Sequence, residues 1–570
     1  MSTRQTMKLT AVSVLVAAFV AACGGGGGDG PSAPPTAGDP GTPTPVTPVD
    51  PAPPTTPAVP TAACAWDTTV TLAYEERRLT TPLPFSGANV VGTDATPLAE
   101  RIVKDTGFDT FAPAFSAKLC GSDGRTAVTS YAEAMTLVKS EGASLWRAAV
   151  DRVQGRRASP AGSTLPASDD RMLYWARVQM TKVLRQWDPE FALTATQEAA
   201  LQWEFERSSR GQYDIALPAG NAPGAGKYRR MIVSGFDTFT LGTPGTPNTG
   251  LRNGNPSGAT ALEMDGREFP LPDGTVLRVE SYILPVSYDP FHAGMQEDTL
   301  GPWFQPGPQR VDASITMSQG SANVFNLEQW NGRFHGPTAG NDGIIYCPVG
   351  NRLPAYVLPI GTITSPDTAP ISMAGSGCDV NPPLRWLGYD AVSAWMKDYP
   401  PQFTVASLPM AGMVTGKTQA GVIRPPGATS EGTEGFNVTW HTNYTYFPDC
   451  TLPATVSVAS NGVMNLMPDA STVIAPNPAT CAQSGGGGSY LSNESAYRNT
   501  LLRDTFRIDI PAGHIHVPVM TNFFTGNPAS GGGTRDDNAM TDARFEAYRT
   551  AIVAQTRNLL KVVGNNLIYK

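Results

Sequence analysis

The 570-residue chain has few charged residues and no cluster of basic ones. Charged residues make up 16% of it, the formal net charge is −8, and no run rich in lysine or arginine occurs. A nucleic-acid-binding surface needs such a basic face to neutralise phosphates. The composition therefore argues against nucleic acid as a partner.

Motifs for metal and phosphate chemistry are missing as well. Only five histidines are present, and none belongs to a His-Glu-x-x-His motif. The glycine runs at 24–28 and 485–488 do not join a strand to a helix, as a phosphate-binding loop would. We therefore expect no metal ion and no other cofactor.

Long hydrophobic runs are confined to the start of the chain. The apolar run at 9–22 follows Arg4 and Lys8 and is shorter than the about 20 residues of a membrane helix, which is typical of a signal peptide. Its end, Val-Ala-Ala before Cys23, resembles a bacterial lipobox, which implies cleavage before Cys23 and diacylation of its thiol. The alternative is an ordinary signal peptide (1–22) followed by an unrelated cysteine.

The segment at 23–62 is rich in glycine, proline and threonine and has too few apolar side chains to build a core. Such a composition suits a flexible, partly extended tether. We predict an exported lipoprotein of the bacterial cell envelope, in the periplasm or at the outer membrane, held to the membrane by its N-terminal lipid only.

The other cysteines agree with export. Six remain, an even number, which in an oxidising compartment favours disulfides, although several connectivities are open. Pairing of sequence neighbours keeps each loop local and predicts Cys64–Cys120, Cys347–Cys378 and Cys450–Cys481. An unpaired Cys450 near His441, Thr442 and Asn443 is the alternative that would leave a thiol for catalysis.

The region at 63–225 is predicted to be a mainly helical domain. Apolar residues at helical spacing predict helices at 131–153, 170–187 and 194–207. Asp169 or Asp170 would cap the second helix, and Thr194 with Gln197 has the spacing of a capping box for the third. The region contains no catalytic constellation, and its role is not readable from the sequence.

From 226 to 570 the pattern becomes that of an α/β domain. Strand-like runs occur at 229–236, 276–286, 311–317, 404–408 and 507–518, with helical patterns between some of them and at 542–563. This alternation predicts a three-layer α/β/α domain with a twisted, mostly parallel sheet. Stretches at about 345–400 and 415–488, rich in glycine, proline and asparagine, are predicted to be disulfide-bearing insertions.

Candidate site residues lie in short segments of this domain. VSGFDTF at 233–239 is followed by NPS at 255–257, ITMSQG at 315–320 by NLE at 326–328, and SYLSNESAYR at 489–498 by AGHIHVP at 512–518. Together and in this order they resemble the pyroglutamyl peptidase I (pyrrolidone-carboxylate peptidase) family, with its motifs TGFxPF…NPS, GQAGGR…ItlE, YLCNExxYR and AGFIHVP. The resemblance covers about 229–570.

The resemblance implies a catalytic triad in which Ser492 stands where the family has cysteine, His516 is the general base and Glu328 orients it. It also implies a substrate pocket containing Phe236, Phe239 and Gln319. The sequence departs from the family by lacking the glycine pair after Gln319, by Arg333 in place of an asparagine and by His514 in place of an aromatic residue. We expect the three catalytic side chains to converge at the C-terminal ends of neighbouring strands, with the two phenylalanines close by.

Serine in place of cysteine changes the mechanism. A thiol with a pKa of about 8.5 can ionise before attack, whereas a hydroxyl must lose its proton during attack. The resemblance implies hydrolysis of N-terminally blocked peptides, with removal of pyroglutamyl or a similar residue through an acyl-enzyme on Ser492. The alternatives are an inactive peptide-binding pseudoenzyme and a structural envelope lipoprotein.

Overall fold

The structure is a computed structural model of the whole chain, in which the residues from Pro60 to Lys570 form one compact unit. It describes residues 64–81, 96–121, 127–219, 227–239, 241–246, 249–321, 324–334, 338–343, 401–415, 436–448, 459–460, 473–520 and 539–567. The predicted signal peptide, Cys23 and the predicted tether lie outside these residues. So do Cys347, Cys378 and Cys450, and with them two of the three predicted disulfides.

The N-terminal part of the described chain is helical, as predicted. After a 3₁₀ turn at Glu76–Thr80, its helices are α1 (Leu98–Thr106), α2 (Phe111–Leu119), α3 (Tyr131–Val153), α4 (Arg171–Gln186) and α5 (Ala195–Ser208). A two-residue pairing joins β1 (Ala65–Trp66) to β2 (Trp187–Asp188). The predicted Cys64–Cys120 disulfide is present, with its Cα atoms 5.7 Å apart.

Of the two predicted helix caps, the cap of α5 forms as predicted and the cap of α4 differs in its hydrogen bond. Thr194 and Gln197 form the predicted capping box at the start of α5. Asp170 occupies the N-cap position of α4, but its side chain accepts no capping hydrogen bond. Asp169 accepts the Arg171 backbone N–H at 3.0 Å instead and also pairs with the Arg171 guanidinium, so the ion pair replaces the ordinary cap.

The α/β part is built on a seven-stranded mixed sheet. In spatial order its strands are β10 (Asn437–His441), β7 (Val324–Glu328), β14 (Ala512–Val517), β6 (Ala313–Gln319), β3 (Tyr228–Phe236), β5 (Val276–Leu284) and β4 (Arg267–Pro270). Neighbours are parallel except at β7–β14 and β4–β5, which are antiparallel. The prediction of a mostly parallel sheet is confirmed.

Helices cover both faces of this sheet, which gives the predicted three layers. One face carries α8 (Met295–Phe304) and α10 (Leu491–Thr505), and the other carries α6 (Pro256–Met264) and α11 (Ala543–Asn565). Successive side chains of β3 point to opposite faces of the sheet and so contribute to the apolar core on each face. Met231 and Val233 pack with α11, and Ile232 packs with α10. This part also contains two short helices, α7 (Asp289–His292) and α9 (Met410–Thr415), and a 3₁₀ turn at Thr249–Arg252.

Two features of the later part of the chain were not predicted. The strand predicted at 404–408 is present as β9 (Phe403–Val405), but it pairs antiparallel with β8 (Trp330–Gly332) outside the main sheet. The segment at 415–488, predicted to be a disulfide-bearing insertion, supplies the edge strand β10 and the small sheet of β11 (Thr445–Phe447), β12 (Ala459–Ser460) and β13 (Cys481–Ser484). In β10 the buried residues that alternate with more exposed ones are Val438 and Trp440. Two apolar positions are too short a pattern to predict a strand within a long polar segment.

The helical part packs directly on the α/β part. The Gln154 side-chain amide donates to the backbone carbonyls of Leu262, Glu263 and Asp265, which caps the C-terminal end of α6. Leu251, Leu262 and Ile283 belong to the same buried apolar cluster as the N-terminal helices. The two parts are thus joined by a shared core.

Candidate active site

The loop after β3 is held in place by the NPS segment. Asn255 donates from Nδ2 to the Asp237 carbonyl at 2.8 Å, and Ser257 Oγ accepts the Phe236 backbone N–H at 3.0 Å. A Cβ on Gly235 would lie 2.3 Å from the Ser257 carbonyl oxygen, so only glycine allows this close approach. The motif residues therefore fix where Phe236 lies.

The YLSNESAYR segment anchors the start of α10. Asn493 makes three hydrogen bonds to the backbone of Gly332 and Phe334, at 2.7 to 2.9 Å. Arg498 lies between two buried carboxylates, Glu494 at 2.7 Å and Glu297 at 2.8 Å. These contacts hold the N-terminal turn of α10, and with it Ser492, at a fixed place above the sheet.

A pocket with an empty volume of about 290 Å³ opens beside this turn. Phe239 and Tyr490 pack against each other in its lining, with ring centroids 5.5 Å apart. The lining residues are Phe236, Phe239, Asn255, Val286, Ser318, Gln319, Tyr490, Leu491 and Ser492, and none of these is charged. All three predicted substrate-binding residues and the predicted nucleophile thus share one pocket.

Ser492 is half-buried in the pocket wall, and its hydroxyl is hydrogen-bonded to Ser318. The two Oγ atoms are 2.7 Å apart. Ser318 pairs in register with His516 on the neighbouring strand β14. Within the described residues no hydrogen bond joins Ser492 to His516, and Ser318 is the residue that contacts the first and pairs with the second.

Glu328 and His516 are joined directly, as the resemblance implies. Glu328 Oε1 accepts from His516 Nδ1 at 2.6 Å, and the carboxylate is completely buried. This contact leaves Nε2 of the imidazole as the ring nitrogen that is able to take a proton from a hydroxyl.

A second imidazole contacts the same carboxylate. Glu328 Oε2 accepts from His441 Nδ1 at 2.5 Å, and these two residues are in register on the paired strands β7 and β10. From the sequence, His441 was a candidate only as a neighbour of an unpaired Cys450. Its pairing with Glu328 depends on β10, and the scarcity of histidine was the one signal that marked it.

The shared carboxylate has a strongly shifted pKa. Burial alone would raise the pKa of Glu328, but His441 first and His516 second lower it to about 2. Burial alone would lower the pKa of His441, but the charge and hydrogen bond of Glu328 raise it above its ordinary value. Glu328 is therefore an anion at neutral pH, able to stabilise a charged imidazole.

The glycines at 485–488 pack against these groups. A Cβ on Gly486 would lie 2.1 Å from Glu328 Oε2, and one on Gly487 would lie 3.0 Å from the Asn493 backbone nitrogen. The sequence predicted a loop here that does not join a strand to a helix, and this prediction is wrong, because the run lies between β13 and α10. Close approach to the Glu328 carboxylate and to the start of α10 is what requires glycine there.

One feature of this geometry was not predicted. His516 and Ser318 do lie near the C-terminal ends of the parallel strands β14 and β6, but β7 runs antiparallel to β14 and pairs Glu328 with His514. Glu328 therefore reaches His516 from a strand of opposite direction. The side chains converge as expected, and only the strand direction differs.

Among the described residues, no three histidine, cysteine, aspartate or glutamate side chains form a group suited to hold a metal ion. Within the same residues, no helix combines the length and apolarity needed to cross a membrane.

Comparison with solved structures returns pyrrolidone carboxyl peptidases. A mutant enzyme from the hyperthermophile Pyrococcus furiosus is 14% identical, with coverage of 60% of this chain and 100% of that one and a TM-score of 0.29. The enzyme from Thermococcus litoralis is also 14% identical, with coverage of 59% and 96% and a TM-score of 0.29.

Comparison with families and curated proteins gives a much closer relative. Residues 230–521 match the family model described as PA0049, C-terminal domain, and residues 55–206 match the PA0049 N-terminal domain. Uncharacterized protein PA0049 of Pseudomonas aeruginosa is 68% identical over 507 residues, which cover 89% of this chain and 92% of that protein. The chain therefore belongs to the PA0049 family.

Proposed function

We propose that the protein is a serine hydrolase that removes an N-terminal pyroglutamyl or similarly blocked residue from peptides. The observation that carries this proposal is the position of Ser492, at the start of α10 and in the wall of an aromatic pocket. The Glu328–His516 pair lies on the strands beside it. The motif resemblance assigns the same three residues to the reaction.

In the proposed reaction, Ser492 attacks the carbonyl carbon of the blocked residue while His516 takes the hydroxyl proton at Nε2. Glu328 holds Nδ1–H and stabilises the imidazolium that forms. Backbone N–H groups at the start of α10 stabilise the oxyanion, and the imidazolium then protonates the leaving amine. Water then takes the place of the amine. His516 removes a proton from the water as it attacks the acyl carbon, and returns that proton to Ser492 Oγ as the free acid leaves.

The reaction requires the Ser492 hydroxyl to donate a hydrogen bond to His516 Nε2. Catalytic hydrogen bonds are often long or absent without substrate and form in the complex.

The pocket favours an uncharged substrate group. None of its lining side chains carries a charge, and Phe236, Phe239 and Tyr490 supply flat apolar surface. An ordinary N-terminus would bring an ammonium group that finds no carboxylate there, and burying an unpaired charge is costly. A lactam ring such as pyroglutamate has the matching shape and no charge.

A chromogenic or fluorogenic pyroglutamyl amide tests the proposal. Wild type should release the fluorophore, and Ser492→Ala should lose about a thousandfold or more in kcat. Ser489→Ala, a partly buried serine just before α10, is the matched control and should keep wild-type activity. Turnover that survives Ser492→Ala would contradict the assignment of the nucleophile.

The contact of Ser492 with Ser318 also favours a second candidate, a peptide-binding protein without turnover. In that case a pyroglutamyl peptide would bind to wild type and to Ser492→Ala with equal affinity in calorimetry, and no product would appear. Neither binding nor turnover would leave the third alternative, a structural envelope protein.

We also propose that the protein is exported and anchored by a lipid on Cys23. The charged start, the short apolar run and the lipobox-like end support this, as does the tether-like composition of 23–62. Metabolic labelling with radioactive palmitate should mark wild type and should fail to mark Cys23→Ala. Label retained by the variant would contradict the anchor.

A further inference from the structure

The sheet face beneath α10 carries a row of polar side chains. On β6 the residues Ser314, Thr316 and Ser318 point to this face, while Ile315 and Met317 pack in the opposite core. His514 lies beside them on β14. All four polar side chains are at most 4% exposed, so each must find its hydrogen-bond partner inside the protein.

Three short hydrogen bonds connect this row to Ser492. Thr316 Oγ1 lies 2.8 Å from His514 Nδ1, His514 Nε2 lies 2.8 Å from Ser318 Oγ, and Ser318 Oγ lies 2.7 Å from Ser492 Oγ. The chain of contacts thus runs from a buried threonine to the hydroxyl in the pocket wall.

The partners favour one direction for these bonds. The other acceptor near Thr316 Oγ1 is the Gly513 carbonyl at 3.4 Å, which is long for a hydroxyl donor, so Thr316 donates to His514 Nδ1. A neutral imidazole that accepts at Nδ1 carries its proton on Nε2 and donates to Ser318. Ser318 then has its own proton to give to Ser492.

His514 and His516 are therefore suited to different tasks. His516 contacts the Glu328 carboxylate, whereas the hydrogen-bond partners of the His514 ring are two neutral hydroxyls. Burial first and the neighbouring His516 second lower the pKa of His514 well below its ordinary value. His514 stays neutral and acts as a hydrogen-bond donor, while His516 is the imidazole held by the Glu328 carboxylate.

We propose that Ser318 is a positioning residue that donates a hydrogen bond to Ser492 Oγ and so orients its proton towards His516, and that His514 positions Ser318 by donating to it. The inference rests on the proposed function of Ser492 as the nucleophile. The bond donated by Ser318 occupies one lone pair of Ser492 Oγ. The proton of the Ser492 hydroxyl must then point to another acceptor, and His516 Nε2 is the acceptor in the proposed reaction. The bond from Ser318 also stabilises negative charge as it develops on Oγ during attack.

The first test measures the donated bond without requiring turnover. In a Ser492→Cys background of the full-length chain, the thiol pKa is read from the pH dependence of iodoacetamide labelling at position 492, followed by mass spectrometry. Adding Ser318→Ala should raise that pKa by about one unit, since a thiolate loses one donor. An unchanged pKa would overturn the inference.

A matched control removes another buried hydroxyl against the same helix. Thr404 Oγ1 and Thr500 Oγ1 are 2.6 Å apart, about two turns along α10 from Ser492. Thr404→Val in the Ser492→Cys background should leave the thiol pKa unchanged. A shift equal to that of Ser318→Ala would show a general effect on α10 and would also overturn the inference.

The second test separates positioning from stability in the serine enzyme. Ser318→Ala should lower kcat about tenfold with KM within about twofold, and Ser318→Thr should restore most of kcat. His514→Phe should resemble Ser318→Ala, whereas His514→Gln keeps a neutral donor and should retain most of the activity. If Ser318→Ala keeps the wild-type kcat, the positioning role of Ser318 is contradicted, and the proposed function is not. If wild type is inactive but Ser318→Ala still raises the thiol pKa of Ser492→Cys, the proposed function is contradicted, and the positioning role is not.

Discussion

His441 Nδ1 lies 2.5 Å from Glu328 Oε2, so the carboxylate that orients His516 is shared with a second imidazole. A buried carboxylate with one partner would keep an unsatisfied oxygen, and here both oxygens are used. The strand β10 therefore contributes to the site through a residue that never touches the pocket.

The first prediction concerns the coupling of this pair. His441→Leu leaves a buried charge without one of its partners and should lower the free energy of unfolding by about 3 kcal/mol in urea titrations at pH 6. In a Glu328→Gln background the same substitution should cost much less, because no charge remains to be compensated. Additive losses in the double variant would show that the two side chains do not interact.

The second prediction is a pH window for the contribution of Glu328. The folded-state pKa of Glu328 lies near 2, below its ordinary 4.5, so its stabilisation is present above pH 4.5 and is lost as the pH falls towards 2. The folded-state pKa of His441 is raised above 6.5, so its stabilisation is present below pH 6.5 and is lost as the pH rises through the raised value.

The stability advantage of wild type over Glu328→Gln should accordingly be largest between about pH 4.5 and 6.5. Denaturant midpoints measured from pH 2 to 9 would test it. A difference that does not vary with pH would contradict the ionised pair.

The third prediction links the helical part to the pocket. Asp237, next to Phe236, accepts from Arg177 at 2.7 Å and from Arg210 at 2.8 Å, and all three side chains are buried. Arg177→Met should cost about 3 kcal/mol of stability and raise KM several-fold with little change in kcat, because the pocket loop loses an anchor.

The control for this variant is an exposed pair in the same helical part. Arg147 is 65% exposed and pairs with Asp214, so Arg147→Met should change stability by less than about 0.5 kcal/mol and leave KM unchanged. Equal effects of the two substitutions would contradict a specific role for Asp237.

The fourth prediction concerns the disulfide. Cys64–Cys120 closes a loop with a sequence separation of 56, and its loss should lower the free energy of unfolding by about 3 kcal/mol. Cys64→Ser, Cys120→Ser and the double variant should be equally destabilised in non-reducing urea titrations. A double variant much less stable than either single one would show that the bond does not form.

Local patterns predicted much of the fold. The helix predicted at 131–153 agrees with α3 to the residue, because the helical spacing of apolar residues continues over all 23 residues. The Thr194 capping box marks the start of α5. The strand before Gly235 and the helix at 542–563 were equally clear. Short elements in polar segments, such as β10, were missed because five residues carry too weak an alternation.

The candidate site was predictable where it rests on contiguous motifs. Ser492, His516, Glu328, Phe236 and Phe239 all lie where motif resemblance led us to expect them, around or behind one pocket. His441 was missed because its role depends on a strand pairing between positions 113 residues apart. The reversed direction of β7 was missed for the same reason.

By itself the sequence determined the alternation of helix and strand, the order of the motif residues and which of them have the chemistry for acyl transfer. The tertiary structure decided how they are connected. Polar alternation along β6 would suit a strand facing water, but α10 covers that face, and burial forces Thr316, His514 and Ser318 to bond with each other and with Ser492. Hydrogen-bond partners of buried groups are set by what packs above them, and no local pattern in the chain contains that information.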